Sequence, residues 1–264
     1  MSDTRPAGWL NYEDFAAGIA TNRLPRSKAL AGTELQCNLP GEAMKLRFVD
    51  PVTVEWSDAR GQGKDWYEAI QVADTTWFVD MTFQARPAEA LTLIFDTQTL
   101  RLLAVRCRVQ DEPAAKAKVE PRVPQDFLVG AIGSNPAAAT GAVPAETRDL
   151  IGGRALFTYS PEHAYEHIYL SSARFCWQCL VGAQRGHAYA ELATTIKFAE
   201  NQYIFTWREA IIPVSSVFFF NFAQMRSTGK FLGLTKDGAI ENNPAGAYIQ
   251  KLSTTCYPAN IQPV

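Results

Sequence analysis

Three short constellations in the second half of this 264-residue chain combine residue types that could do chemistry. The first is Trp207-Arg208-Glu209. In an extended strand alternate side chains leave by the same face, so Glu209 shares a side with Trp207 and not with Arg208. If Trp207 faces an aromatic interior, a carboxyl group goes with it. Burial there disfavours the carboxylate, raises its pKa and suits the group to proton transfer near neutrality. The competing reading is a solvated glutamate at a strand rim.

The second constellation is His163 and His167, with Tyr165 between them and Tyr169 after. On a strand all four lie on one face. A metal site would need a third ligand such as His187 or Glu191; the other readings are hydrogen-bonded interior imidazoles, or groups that recognise a ligand or move a proton. The third is Cys176-x-x-Cys179. It sits in a strand-like run, where positions three apart point to opposite faces, and no second pair accompanies it. Two separate buried thiols are expected. With five cysteines at irregular spacing, neither a disulfide nor a bound transition metal is expected. No phosphate loop, dinucleotide fingerprint or nucleophile elbow is present, so no cofactor is called for.

These residues need strands to hold them. Phe157 to Leu170 is two extended runs about a Ser160-Pro161 turn. Runs from Arg174 to Leu180, His187 to Phe198, Tyr203 to Glu209 and Ser216 to Phe222 follow. In the first half, Thr33–Asn38, Ala43–Val49, Val52–Trp56, Trp66–Val72, Thr76–Phe83, Leu91–Phe95 and Leu100–Arg108 read as strands. Asn11 is positioned to cap one short helix from Tyr12 to Ala17, ended by Gly18. Asp111 to Thr147, rich in Ala and Pro, reads as a surface linker, and Ala247–Thr254 as one last strand. Gln71 to Val79 and then Leu91 to Asp96 echo Lys197 to Phe205 and then Val217 to Phe222, a duplication signal. The expected fold is mainly β: two tandem antiparallel β-barrels from an internal duplication, with domains at 1–110 and 148–264 joined by 111–147. The halves differ where chemistry could lie: the first has no histidine, and carries Phe83 where the second carries Glu209.

Apolar residues make up 47% of the chain and charged residues 20%, enough for a core under a soluble surface. Lys plus Arg is 25 against 27 for Asp plus Glu, which argues against a nucleic-acid or acidic-membrane partner. No apolar run is long enough to span a bilayer, and Met1 to Pro6 lacks the features of a signal peptide. A cytoplasmic location is expected, with homo-oligomerisation left open.

Tyr-Ser-Pro-Glu-His-Ala-Tyr-Glu-His-Ile-Tyr-Leu from Tyr159, Ile-Phe-Thr-Trp-Arg-Glu from Ile204 and Met-Arg-Ser-Thr-Gly-Lys from Met225 resemble the C-terminal domain of the MoaF family, and the first half resembles that family's N-terminal domain. The resemblance implies lipocalin-like (calycin) barrels and an association with molybdenum cofactor biosynthesis. More distantly, the second half resembles the phenolic acid decarboxylases, small cofactor-free barrels. Gly152 to Tyr165 is similar to their first strand and turn. Tyr159 stands at one of their two substrate-binding tyrosines, and Phe157 where the other would be. Glu209 falls where their Trp-x-Glu carries the catalytic glutamate, and their arginine lies near Arg185.

Two functions follow as expectations. In the first, the chain is a cofactor-independent lyase on a small hydroxylated aromatic substrate. Glu209 moves a proton, Tyr159 and Arg185 hold a phenolate or carboxylate, and His167 tunes or replaces one of them. Tyr165, Tyr169, Trp177, His187 and Trp207 line the ligand, and decarboxylase-like C–C cleavage proceeds through a quinone methide. In the second, the same cavity binds a small aromatic or apolar ligand without turnover. A duplicated barrel that works through protein contacts is a third.

Overall fold

The computed structural model describes residues 9–118 and 121–264. Met1 to Pro6, read above for a targeting signal, and Glu120 of the expected linker lie outside the described residues. Two closed eight-stranded antiparallel barrels stand in tandem. The first comprises β1 (Glu34–Leu39), β2 (Glu42–Phe48), β3 (Thr53–Asp58), β4 (Gly61–Gln71), β5 (Thr76–Phe83), β6 (Arg86–Asp96), β7 (Arg101–Arg108) and β8 (Gln125–Ile132). Short β9 (Ala145–Glu146) lies on the outside of the second barrel. That barrel is formed by β10 (Gly153–Ser160), β11 (His163–Tyr169), β12 (Arg174–Val181), β13 (Ala188–Ala199), β14 (Gln202–Arg208), β15 (Val214–Asn221), β16 (Arg226–Leu234) and β17 (Ile240–Thr254). Pairing of β12 with β13 and of β10 with β17 closes it.

Two helices are added. α1 (Tyr12–Ala16) begins where Asp14 accepts the Asn11 backbone N–H at 3.1 Å. α2 (Glu112–Lys118) follows the first barrel's seventh strand. Among the described residues no helix is long and apolar enough to cross a membrane.

Alternation explains most of the strands. In β2, Met44, Leu46 and Phe48 are buried while Lys45 and Arg47 are exposed, so one face fills a barrel and the other meets water. β15 departs from alternation: all eight of its residues are buried. Phe218 and Phe220 enter the second barrel's core, while Val217 and Phe219 pack outward against Ile70, Phe78, Ile94 and Leu103 of the first. The two barrels therefore share a third core between their outer walls. Each fully buried Ile or Phe there contributes on the order of 1.5–3 kcal/mol. A buried ion pair crosses this seam, Lys230 Nζ to Asp80 Oδ1 at 2.5 Å, with Asn242 and Thr92 also donating to Asp80.

The Asp111 to Thr147 segment is more than a linker. Its Gln125–Ile132 stretch is β8, which pairs with β7 and β1 and closes the first barrel. Gly130 allows that closure, because a Cβ there would lie 2.0 Å from the Asn38 carbonyl oxygen. The tail forms a longer strand than expected: β17 begins at Ile240 and tolerates Pro244 opposite Lys230.

Candidate active site in the second barrel

The β13–β14 pair sets the centre of the site. Its register places Ala193 opposite Trp207, as β4 and β5 place Tyr67 opposite Met81. Two residues before Ala193 is Glu191, and two before Tyr67 is Asp65. Both are buried acids, and both pin the same backbone position. Asp65 accepts the Gln84 N–H at 3.0 Å, and Glu191 accepts the Ala210 N–H at 2.8 Å. Gln84 follows Phe83 and Ala210 follows Glu209. The duplicated strands therefore keep one carboxylate in each barrel as a brace on the end of the neighbouring strand. The second barrel adds another carboxylate, Glu209, where the first has Phe83.

Glu209 lies just past β14, on the same side as Trp207, whose indole Nε1 donates to Glu209 Oε1 at 2.8 Å. Burial, then the charge of Glu191, pushes its carboxyl well above the usual carboxylate range. Burial also raises Glu191. Two acids this close share a proton, with Glu209 holding it and Glu191 charged. Glu209 and the Trp177 indole are the side chains placed to donate to Glu191, whose Oε1 otherwise has no partner among the described residues.

Glu209 opens onto a cavity of about 50 Å3 walled by Tyr159, Tyr165, His167, Trp177, Gln184 and Trp207 from the barrel. Tyr159 comes from β10, Tyr165 and His167 from β11, Trp177 from β12 and Trp207 from β14. Burial holds the His167 imidazole neutral, its pKa pushed down to about 3. It stacks on Phe157 at 4.2 Å, and its Nδ1 has no partner among the described residues. Burial raises both Tyr159 and Tyr165. Tyr165 donates to Gln184 Oε1 at 3.0 Å, whereas the Tyr159 hydroxyl makes no side-chain hydrogen bond among the described residues. Among those residues no Lys or Arg lines the cavity.

The cavity's roof comes from the far end of the chain. Trp9, Phe15 and Ile19 lie across the barrel mouth. Trp9 packs on Trp177 at 5.4 Å and stacks on His187 at 5.7 Å. Phe15 meets Phe231 edge-on at 5.4 Å, and the Tyr12 hydroxyl donates to the Phe231 carbonyl at 2.7 Å. The helix at the start of the chain thus docks on the second barrel.

Six of the residues singled out in the sequence surround one cavity: Glu209, Tyr159, His167, Tyr165, Trp177 and Trp207. Three do not. Arg185 is exposed on the β12–β13 loop, whose turn directs neighbouring Gln184 inward instead. Tyr169 is buried against Phe205 and His167, away from the cavity wall, its hydroxyl unpartnered among the described residues. His187 supports Trp9 from outside the cavity. His163 is taken up by Ser160, 3.0 Å from its Nδ1, rather than joining His167. Among the described residues no cluster of three metal-ligating side chains occurs. All five cysteines are free thiols. The sequence did not mark Gln184, the roof residues or the pairing of Glu191 with Glu209; the last was reachable by carrying Asp65 across the duplication.

The model of the MoaF N-terminal domain matches residues 7–111, and that of the MoaF C-terminal domain residues 144–255. The chain belongs to the MoaF family. The two MoaF domain matches leave β8 between them, although it completes the first barrel. Protein MoaF of Klebsiella aerogenes is 29% identical over 265 residues, spanning 96% of this chain and 98% of its own length. A crystal structure from Burkholderia vietnamiensis assigned as a beta-lactamase overlaps 41% of this chain and 100% of its own. It does so at 14% identity and a TM-score of 0.36, too low to support any inference.

Proposed function

We propose that this MoaF-family chain is a cofactor-independent lyase, with Glu209 as the proton carrier and a small hydroxylated aromatic compound as substrate. One observation carries the reading: a carboxyl group held protonated by burial and by Glu191 faces an aromatic cavity in one barrel, while the twin barrel has Phe83 in its place. Proton delivery from Glu209 to a side-chain double bond para to a phenolate gives a quinone-methide intermediate. The C–C bond next to the protonated carbon then breaks, its electron pair returns to the ring as phenolate, and the other fragment leaves as a carbonyl compound whose hydroxyl proton goes back to the Glu209 carboxylate, without a metal or cofactor. The free Tyr159 hydroxyl is available to orient the phenol, and positioning supplies most of the rest. The absence of Lys and Arg among the described residues of the cavity wall favours a substrate whose side chain is uncharged inside the barrel. A leaving carboxylate would be buried there without a counter-ion. The decarboxylase-like form of the reaction is for that reason the less favoured one.

A non-catalytic small-ligand binding protein, associated with molybdenum cofactor biosynthesis as the family name suggests, is the second reading. It is favoured by the small size of the cavity beneath Trp9 and Phe15. The cavity as it stands has room for a few waters, so a ring must displace those side chains. Turnover of a panel of para-hydroxylated aromatic compounds, followed by chromatography, separates the two. Ligand binding is read independently from the fluorescence of the tryptophans around the cavity. Glu209→Gln should lower turnover by roughly 10²–10⁴-fold and leave binding in place. Normal turnover in Glu209→Gln rejects the lyase role for this residue; binding with no turnover in the unaltered protein puts the second reading first.

A further inference from the structure

Outside the second barrel, a groove of about 700 Å3 runs between α2 and the loop after β14, and Glu209 forms part of its wall as well as of the cavity's. Three arginines line it: Arg208, Arg174 and Arg122. Arg208 leaves β14 by the face opposite Trp207. Its Nη1 donates to Gln125 Oε1 at 3.2 Å and Thr194 Oγ1 at 3.0 Å. Among the described residues its other N–H groups have no acceptor and it forms no ion pair. Burial, with Arg174 nearby, holds the guanidinium below its usual range. Arg174 is exposed and also forms no ion pair among the described residues. Arg122 donates its Nε to the Gln110 carbonyl at 2.9 Å. The carboxylate of Glu112 also lines the groove, but it is bound by Lys116.

Three other sheltered arginines of this chain meet acids, while Arg226 is held by the Asn22 carbonyl and the Tyr248 ring. Arg23 bonds Glu68 at 2.5 Å, Arg86 bonds Asp58 at 3.0 Å and Arg106 bonds Glu42 at 2.6 Å. A sheltered guanidinium beside a second cation, with donors left over and no acid bonded to it (Glu146 acts on it only from a distance), leaves room for an anion to complete it. The planar fork of arginine matches two oxygens of a carboxylate or phosphate.

We propose that this groove is an oxyanion site, which takes the phosphate or carboxylate group of a small molecule between Arg208, Arg174 and Arg122. The proposal does not depend on the lyase reading, since it uses the outer face of β14 and not the proton on Glu209.

Isothermal titration with inorganic pyrophosphate and with citrate, against sodium chloride at matched ionic strength, tests it on the full chain. Saturable one-to-one binding of at least one of the two is expected, and the preference between them assigns phosphate or carboxylate. Arg174→Gln and Arg208→Gln should each weaken it roughly tenfold or more. Lys251→Gln, on the strand at the opposite mouth of the barrel, should leave it unchanged. Arg174 is exposed, so its variant carries the test if Arg208→Gln does not fold. Absence of saturable binding by both anions, full affinity in Arg174→Gln, or an equal loss in Lys251→Gln overturns the proposal.

Discussion

Replacing Glu209 by glutamine should stabilise the protein at alkaline pH, and the geometry sets the size of the gain. In the folded protein Glu209 must hold a proton well above the pH at which a free glutamate gives it up, or stand as a second carboxylate, half-buried, beside Glu191. The substitution Glu209→Gln removes that choice. The carbonyl oxygen of the new amide can accept the Trp207 indole N–H, now 2.8 Å from Glu209 Oε1, and its NH2 group can donate to Glu191 in place of the Glu209 proton. Holding a proton above the unfolded pKa costs about 1.4 kcal/mol per pH unit, a cost the amide does not bear, so Glu209→Gln should be more stable by about 1–3 kcal/mol or more at pH 8.

A carboxyl raised on folding contributes stability that is complete below its unfolded pKa, about 4.3, and is lost as pH rises through its folded value. The advantage of the variant should therefore shrink as pH falls and vanish near pH 4. His167 has the opposite sign: its depressed pKa makes stability fall as pH drops from about 6.5 toward 3. Because both proteins keep His167, that effect cancels in the difference between their curves. Urea unfolding from pH 4 to pH 9 measures it. A gap that is flat with pH, or one that favours the natural protein at pH 8, refutes the proton-sharing pair.

Two further outcomes concern the rest of the fold. Lys230→Met removes the counter-ion of Asp80 in the seam between the barrels and should cost roughly 3–5 kcal/mol at pH 7 in denaturant unfolding. The loss should narrow at acid pH, where Asp80 can take up a proton, and much of it should return in Asp80→Asn/Lys230→Met; an unaltered midpoint in Lys230→Met argues against this pair. Phe83→Ala should cost roughly 3–5 kcal/mol, because Phe83 is 2% exposed and packs on Trp56 at 5.0 Å and under the Arg86 guanidinium. Activity per folded molecule should not change, and its loss would tie the first barrel to the chemistry.

Strands with one wet face were legible in the sequence because alternation encodes them, as in β2 and β3. The elements that were missed lie where another constraint outweighs alternation. β8 carries a glycine at its closest approach to β1, and its apolar run is short. β16 is not marked as a strand in the sequence: Ser227-Thr228-Gly229-Lys230 carries no apolar alternation, yet those residues are buried because the strand borders the first barrel. Gly229 is held against Phe218, where a Cβ would come within 2.5 Å of the ring. At the site, the strand period was enough to place Glu209 beside Trp207. Loop residues were not readable in the same way. Whether Gln184 or Arg185 turns inward depends on the hydrogen bonds of one tight loop. Nothing in Trp9 or Phe15 says which of two similar barrels they will cover.

The roof has a consequence for how the molecule comes into being. Tyr12 bonds to the carbonyl of Phe231, 219 positions further along the chain. A ribosome releases Tyr12 long before it makes that acceptor, and before β17 exists to close the second barrel. The first barrel can form from what has already emerged, but the opening residues must wait, with Trp9 and Phe15 still uncovered, for a surface that has not been synthesised. The stretch around Tyr12 is thus made before the first barrel and placed after the second, and the cavity acquires its final wall only once β16 and β17 exist.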